Sequence, residues 1–256
     1  MAKQSSKKTQ RSRAAQQAAE IRREAAKKEA RRRNLIVGGV VLAVLVVIVG
    51  IAYSVQSGRD TSGDTATTPA GVVDGYGVPI GKADAPVKLV VYEDFMCPIC
   101  GELESMTRSF LGPAIEDGTV HVVYRPIAFL DRMSSGTKYS TRATNAFAAV
   151  FDLGGEDAAR TMHDLLFENQ PKEGSTGLDD DQLIDFAVQA GVDKAAVTKA
   201  IEDLEFKQWV TNATDQSSKD GVTGTPTVEL NGKRFGTDTS LAEIASTIQQ
   251  AIKDAK

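Results

Sequence analysis

Cysteine is nearly absent from this chain, with two copies in 256 residues, Cys97 and Cys100. A structural zinc takes four ligands, and no second cysteine pair exists to complete a four-thiolate set. Histidine is as scarce. His121 and His163 lie far apart in the sequence, so a mixed cysteine–histidine zinc site has no local support either. Neither histidine has a sequence argument as a catalytic base, and each is expected to be a surface or structural residue. A disulfide between Cys97 and Cys100 would close so small a loop that it removes little entropy from the unfolded chain, which weakens a purely structural role.

Charge is absent from Leu35 to Val55, 21 residues rich in Val, Ile and Leu. At 1.5 Å per residue a helix of that length spans roughly 30 Å, the hydrocarbon thickness of a bilayer. The run is longer than the apolar region of a usual signal peptide and follows an unusually long basic preamble, so an uncleaved anchor is expected. Residues 1–34 carry 12 Lys and Arg against 3 Glu, a charge of +9, which leaves −13 on the remainder of a chain whose net charge is −4. Arg31, Arg32 and Arg33 abut the apolar run, and the positive-inside rule puts that end in the cytoplasm and the bulk of the chain outside. The leader from Lys3 to Arg33 lacks large apolar residues apart from Ile21, so it has no face to bury. Its charge suits anionic lipid headgroups, and nucleic acid is not expected as a partner. The expected organisation is a basic leader over 1–34, a transmembrane helix over 35–55, a flexible tether over 56–72 and a folded domain over 73–256. The tether segment is rich in Gly, Ser, Thr, Asp and Pro and has no periodicity.

What the chain does have is a β-branched run, Val87 to Val91, leading into Tyr92-Glu93-Asp94-Phe95-Met96-Cys97-Pro98-Ile99-Cys100 and then into helical spacing. The first four N–H groups of a helix lack internal partners, and the macrodipole adds partial positive charge, so a sulfur placed there is favoured as thiolate. Pro98 suits a first helical turn because its missing N–H costs nothing there. Two thiols separated by two residues at a helix start suit thiol–disulfide exchange, and that reading outweighs half a zinc site or a plain staple.

Around this stretch, a short edge strand is expected within Val72–Ile80 and a buried strand over Val87–Tyr92. The helix from Cys97 should end near Leu111, with Gly112-Pro113 breaking or kinking it. A second strand is expected over Val120–Arg125, followed by an almost wholly helical block over about 137–220. Asn231-Gly232 between Thr227–Leu230 and Lys233–Phe235 signals a hairpin, and an amphipathic helix with Leu241, Ile244, Ile248 and Ile252 closes the domain. Strand, helix, strand, helical block, hairpin, helix describes an α/β fold with one sheet and an inserted helical cap.

The Cys97-Pro98-Ile99-Cys100 pair after a strand, the helical insertion, and Gly221-Val222-Thr223-Gly224-Thr225-Pro226-Thr227 before the hairpin together resemble the DsbA-like thiol–disulfide oxidoreductases of the thioredoxin-fold superfamily. Ala85-Pro86-Val87 and Tyr124-Arg125-Pro126 add to the likeness, which runs from about Val73 to the C-terminus. The resemblance implies a thioredoxin-like fold, a central mixed sheet flanked by helices. It further implies that Cys97 is the exposed nucleophile and Cys100 the buried resolving thiol of a redox-active disulfide. Pro98 and Ile99 would tune that pair, and Thr225-Pro226 would form a substrate-binding loop with a cis peptide facing the cysteines. No metal or organic cofactor is implied. The implied partners are secreted or cell-wall client proteins with cysteine thiols, and a quinone-linked membrane enzyme that reoxidises the pair. Two positions depart from the pattern. The buried acid that thioredoxin relatives often carry six residues before the first cysteine is Val91 here. No histidine lies between the cysteines, so oxidising power is open. The expected activity is dithiol oxidation outside the cytoplasm. A reductase or isomerase, or a non-catalytic anchored module with a structural disulfide, stands as the alternative.

Overall fold

The computed structural model describes residues 66–256. The leader, the anchor expected over 35–55 and most of the expected tether lie outside the described residues. Among the described residues no helix is long and apolar enough to cross a membrane.

Five strands form one mixed sheet in the order β1-β3-β2-β4-β5. The central strand β2 (Val87–Glu93) pairs in parallel with β3 (Val120–Pro126) and antiparallel with β4 (Thr227–Leu230). A parallel pair needs a crossover, and helix α1 (Pro98–Glu116) supplies it. β1 is short, only Val78–Ile80, and lies antiparallel to β3 at one edge. At the other edge β4 turns into β5 (Lys233–Phe235) through Asn231 and Gly232, whose φ values of 49° and 82° are the left-handed pair a two-residue hairpin turn requires.

Side chains alternate along a strand, so Leu89, Val91 and Glu93 of β2 share one face. They meet Leu103, Thr107 and Leu111 of α1 and Ile248 of α6 (Leu241–Asp254). The opposite face is served by a smaller cluster of Tyr92, Ile127 and Val222. Helix α1 does not end at Leu111 as its Gly112-Pro113 pair suggests; it continues to Glu116 with Pro113 inside it. Pro113 and the residue four before it, Ser109, are both exposed, so water can take the carbonyl that proline leaves without an N–H, while Leu111, Ala114 and Ile115 stay buried.

The helical block comprises α2 (Tyr139–Glu168), α3 (Asp180–Gln189), α4 (Lys194–Glu202) and α5 (Lys207–Lys219). Helix α2 is interrupted at Gly155, whose φ of 71° and ψ of −161° are not helical. Asp179 and Gln182 form a reciprocal capping box at the start of α3. Asp193 and Ser240 cap α4 and α6 by accepting from Ala196 and Glu243 N–H. Trp209 of α5, buried to 1% exposure, donates its indole N–H to the Gly75 carbonyl at 2.8 Å and so ties the block to the segment before β1.

Candidate active site

The end of β2 delivers Glu93, Asp94 and the two cysteines to one place. Cys97 is the N-cap residue of α1 with an extended backbone, and Pro98 takes the first helical position. The loop between strand and helix is held from three sides. Asp94 accepts from the N–H groups of Met96 and Leu130 and from the Ser140 hydroxyl, at 2.7–2.9 Å. The Asp94 carbonyl accepts the Cys97 N–H at 2.8 Å. Gln170, just past α2, donates its amide to the carbonyls of Phe95 and Cys97 at 3.2 and 2.9 Å.

The two sulfurs differ in environment, though not as the sequence suggests. Cys97 is not an exposed residue: it is 5% accessible against 3% for Cys100. What separates them is what each one faces. Cys97 lines a cleft of about 710 Å³ with Pro98, Phe129, Leu130, Val222 and Thr225. Cys100 lines a much smaller hollow of about 20 Å³ with Glu93, Glu104, Tyr124 and Pro226. Cys97 thus has little accessible area of its own, yet it borders the larger cleft.

The Cys100 thiol donates a hydrogen bond to the Cys97 sulfur. This outweighs desolvation and, with bonds from Thr225 and the backbone N–H groups of Cys100 and Ile99, lowers the Cys97 pKa to about 6. The helix-start argument therefore covers part of the effect, and the second thiol adds the largest part. Burial pushes Cys100 the other way, well above the ordinary thiol range, and its hydrogen bond to Cys97 holds the proton further.

Thr225 and Pro226 come from a loop 128 residues away, and the peptide bond between them is cis. The Thr225 carbonyl lies 3.4 Å from Cys97 Sγ and accepts from the thiol, which a thiolate cannot offer. Pro226 and Thr225 also line a second hollow, about 440 Å³, with Met106 and Leu241. Ile99 is 51% exposed and borders both hollows, so it stands as an apolar ridge between them. Cys97, Pro98, Ile99, Cys100, Thr225 and Pro226 are thus one site, in which a low-pKa sulfur and a high-pKa sulfur sit against a carbonyl and two grooves. That arrangement can form and resolve a mixed disulfide.

A match to the family model described as Thioredoxin covers residues 74–250. The chain belongs to the thioredoxin family. Its structure is similar to reduced DsbA from Mycobacterium tuberculosis, with 26% identity and a TM-score of 0.57 over 70% of this chain and 96% of that one. A probable disulfide bond formation protein D from Bacillus cereus is 26% identical over 162 residues, 62% of this chain and 72% of that protein. A Na(+)/H(+) antiporter, NhaA 3 of Salinispora tropica, is 27% identical over 176 residues, 69% of this chain; the chain spans only a quarter of that relative's length. Within that family its likeness is to DsbA-type proteins of disulfide exchange.

Several residues of this site carry no local sequence signal. His163, expected at the surface or in a structural role, is 1% exposed, and its Nε2 lies 2.8 Å from Glu93 Oε1. Its ring stacks on Tyr124 with centroids 4.0 Å apart. Burial alone would lower the His163 pKa, but the facing Glu93 carboxylate, with Asp164 and Glu104, raises it to about 10. Burial likewise raises Glu93. Glu104, His163 and Asp164 bring ligand atoms within 4.8 Å of one another, a metal-like spacing. Arg108 already occupies that role, with Nε 3.2 Å from Glu104 and Nη2 3.9 Å from Asp164. His121 is half-buried and lies with Nδ1 3.1 Å from the Gly81 carbonyl, remote from the thiols in sequence and in role.

Two substitutions test how the loop is held. Desolvation raises the Asp94 pKa to about 6 despite its three donors. An acid that binds its proton more tightly when folded loses stability as pH rises from about 4 to about 6. Asp94→Asn should remove that slope, yet still destabilise by about 1–3 kcal/mol, because an amide group turns a donor toward donors. Urea unfolding of both proteins across this range checks the two effects together. At Gly101, a Cβ would lie 2.4 Å from Gln170 Oε1. Gly101→Ala should displace Gln170, unpair the Phe95 and Cys97 carbonyls, and cost about 1–3 kcal/mol. The variant should also alkylate at Cys97 with a shifted pH midpoint; an unmoved midpoint would show that Gln170 does not position that residue.

Proposed function

We propose that this protein introduces disulfides into other proteins, with Cys97 and Cys100 as its redox pair. In that direction a substrate thiolate attacks Sγ of Cys97 in the oxidised enzyme. The intramolecular S–S bond breaks, Cys100 leaves as thiolate and takes up a proton, and a mixed disulfide joins substrate to Cys97. The substrate's second thiolate then attacks its own sulfur in that bond, releasing Cys97 as the stable thiolate. The observation that carries the reading is the opposed tuning of the two sulfurs. A Cys97 thiolate held at about 6 is a good leaving group, which favours the reduced enzyme and hence oxidation of the client.

Clients would lie in the cleft beside Cys97, with their backbone near the Thr225 carbonyl. Secreted or cell-wall proteins are the proposed clients, a quinone-linked membrane enzyme the proposed reoxidant, and the outer side of the cell membrane the proposed location. The support for location is the apolar run over 35–55 and the charge step at Arg33. Incubating the oxidised protein with a reduced, unfolded dithiol substrate tests the activity. Stoichiometric oxidation of substrate, together with a reduction potential above that of a glutathione couple, is expected. A potential well below it would assign the reverse direction, and no transfer in either direction would leave a structural disulfide.

A further inference from the structure

We propose that Arg132 and Glu173 are specificity-determining residues for the exchange reaction. Together they read the charges that a client carries beside its reactive cysteine, Arg132 taking an acidic side chain and Glu173 a basic one. The proposal rests on the exchange chemistry of the cysteine pair and holds in either direction of that chemistry.

The cleft beside Cys97 is mostly uncharged. Ile99, Phe129, Leu130 and Val222 give it an apolar lining, and among the described residues that line it only Arg132 and Glu173 carry a formal charge. Both are exposed, and neither is drawn into an ion pair with another described residue. Asp131, the neighbour that could neutralise Arg132, is engaged elsewhere: its carboxylate accepts from the Thr141 N–H at 2.9 Å and from the Thr141 hydroxyl at 2.7 Å. Side chains along a 3-10 turn stand about 120° apart. The turn Asp131–Met133, which aims Asp131 at α2, therefore leaves Arg132 on the cleft.

The two charges stand on one wall. Arg132 lies on the segment before α2 and Glu173 on the segment after it, and three hydrogen bonds stitch those segments together. The Gly174 N–H donates to the Met133 carbonyl at 2.7 Å, the Ser135 hydroxyl to the Gly174 carbonyl at 2.7 Å, and the Thr137 hydroxyl to the Thr176 carbonyl at 2.6 Å. The first of these joins the residue after Arg132 to the residue after Glu173. The wall is fixed in turn to the thiol loop, through the Leu130 N–H on Asp94 and the Gln170 amide on the Cys97 carbonyl, each at 2.9 Å. The backbone under each charge is thus placed relative to the Cys97 sulfur before a client arrives, which reduces the ordering that binding must supply. A client chain that brings its sulfur to Cys97 lies between this wall and Thr223 and Thr225, which line the same cleft. A charge carried into an apolar cleft loses water and needs a partner. Arg132 offers a carboxylate a planar fork of N–H donors, and Glu173 accepts from an ammonium or guanidinium group. A charge of the wrong sign meets repulsion, and exchange slows.

Short peptides that carry one cysteine as its 2-pyridyl disulfide, flanked on both sides by Glu, by Lys or by Gln, test this with the reduced protein. The Cys97 thiolate attacks the peptide sulfur and the S–S bond to the pyridyl group breaks. The departing group keeps the electron pair, takes up a proton and is followed by absorbance as 2-thiopyridone. The quantity compared is the rate with the Glu peptide divided by the rate with the Lys peptide, a ratio that cancels any change in Cys97 itself. At low ionic strength Arg132→Glu should lower that ratio about three- to tenfold, and Glu173→Lys should raise it by a similar factor. Both effects should shrink at about 1 M salt, where charges are screened beyond about 3 Å. Lys172→Glu reverses a charge on the same segment but outside the cleft lining, and should leave the ratio unchanged. A ratio unmoved by Arg132→Glu or by Glu173→Lys, or moved as far by Lys172→Glu, overturns the proposal. No release from the Gln peptide by the native protein would overturn the exchange reading itself, and the proposal with it.

Discussion

Cys97→Ser should reduce thiol–disulfide exchange by on the order of 10³-fold or more, because the cleft presents no other sulfur to a client. Cys100→Ser should accumulate mixed disulfides through Cys97, since the group that resolves them is gone while the one that forms them remains. The titration of Cys97 gives the sharper measurement. At pH 6 about half of Cys97 is thiolate, against about 0.3% of an ordinary thiol near 8.5, an advantage of roughly 160-fold. Lower basicity costs nucleophilicity by roughly 10–18-fold over that interval, so alkylation at pH 6 should run about ten times faster than at a free cysteine. At pH 7 the two factors nearly cancel, and the contrast should shrink to about twofold. Rates measured at pH 6 and 7 for Cys97 and for a cysteine peptide therefore test the assignment, and equal rates at pH 6 would remove it.

The same sulfur makes the reduced protein's stability depend on pH with a definite sign. A depressed thiol contributes stability that is fully present above its unfolded pKa, near 8.5, and lost as pH falls through about 6. Cys100 acts oppositely: being raised, it loses its contribution as pH climbs beyond about 8.5. Reduced minus oxidised stability should therefore rise from pH 6 to about 8.5 and then turn over. The oxidised form has no thiols and is the natural reference.

His163→Ala should carry the largest stability loss of any single change at the site, about 3–5 kcal/mol, because it leaves the Glu93 carboxylate buried without its partner. For a domain of this size that lowers the melting temperature by on the order of 10 °C. Part of the loss is the ring stacked on Tyr124, and the pH dependence separates the two contributions. Burial raises Glu93, so its unpaired charge is an expense only while the group is ionised. The deficit of His163→Ala should shrink as pH falls toward about 4, where Glu93 takes a proton in both states. A companion variant with Glu93→Gln and His163→Ala together should recover stability at neutral pH relative to His163→Ala alone. A deficit that is the same at pH 4 and 7 would assign the loss to packing and remove the ion pair from the account.

Much of this site was readable because its parts lie within one turn of one another. A β-branched run, two cysteines three apart and a proline between them are enough to place thiols at a helix start, since helix geometry and the end charge act over a single turn. The Asn231-Gly232 turn and the apolar spacing of the last helix are local in the same way. The end of α1 was not readable, because Pro113 stops a helix only if the orphaned carbonyl cannot reach water, and that depends on which face packs on the sheet.

Beyond one turn, tertiary structure decided the rest. Alternation in β2 says that Glu93 and Asp94 point to opposite faces, but only the packing of α1 over Val91 tells which face holds the thiols. His163 reaches Glu93 across 70 residues, Thr225 reaches Cys97 across 128, and Gln170 reaches the loop backbone from the end of α2. Such pairs leave no mark in a single sequence, because a buried histidine or glutamine has the same neighbours in the chain as an exposed one. The chain by itself determined that a thiol pair sits at a helix start; the fold of the insertion over that pair decided how buried each sulfur is and which acid it faces.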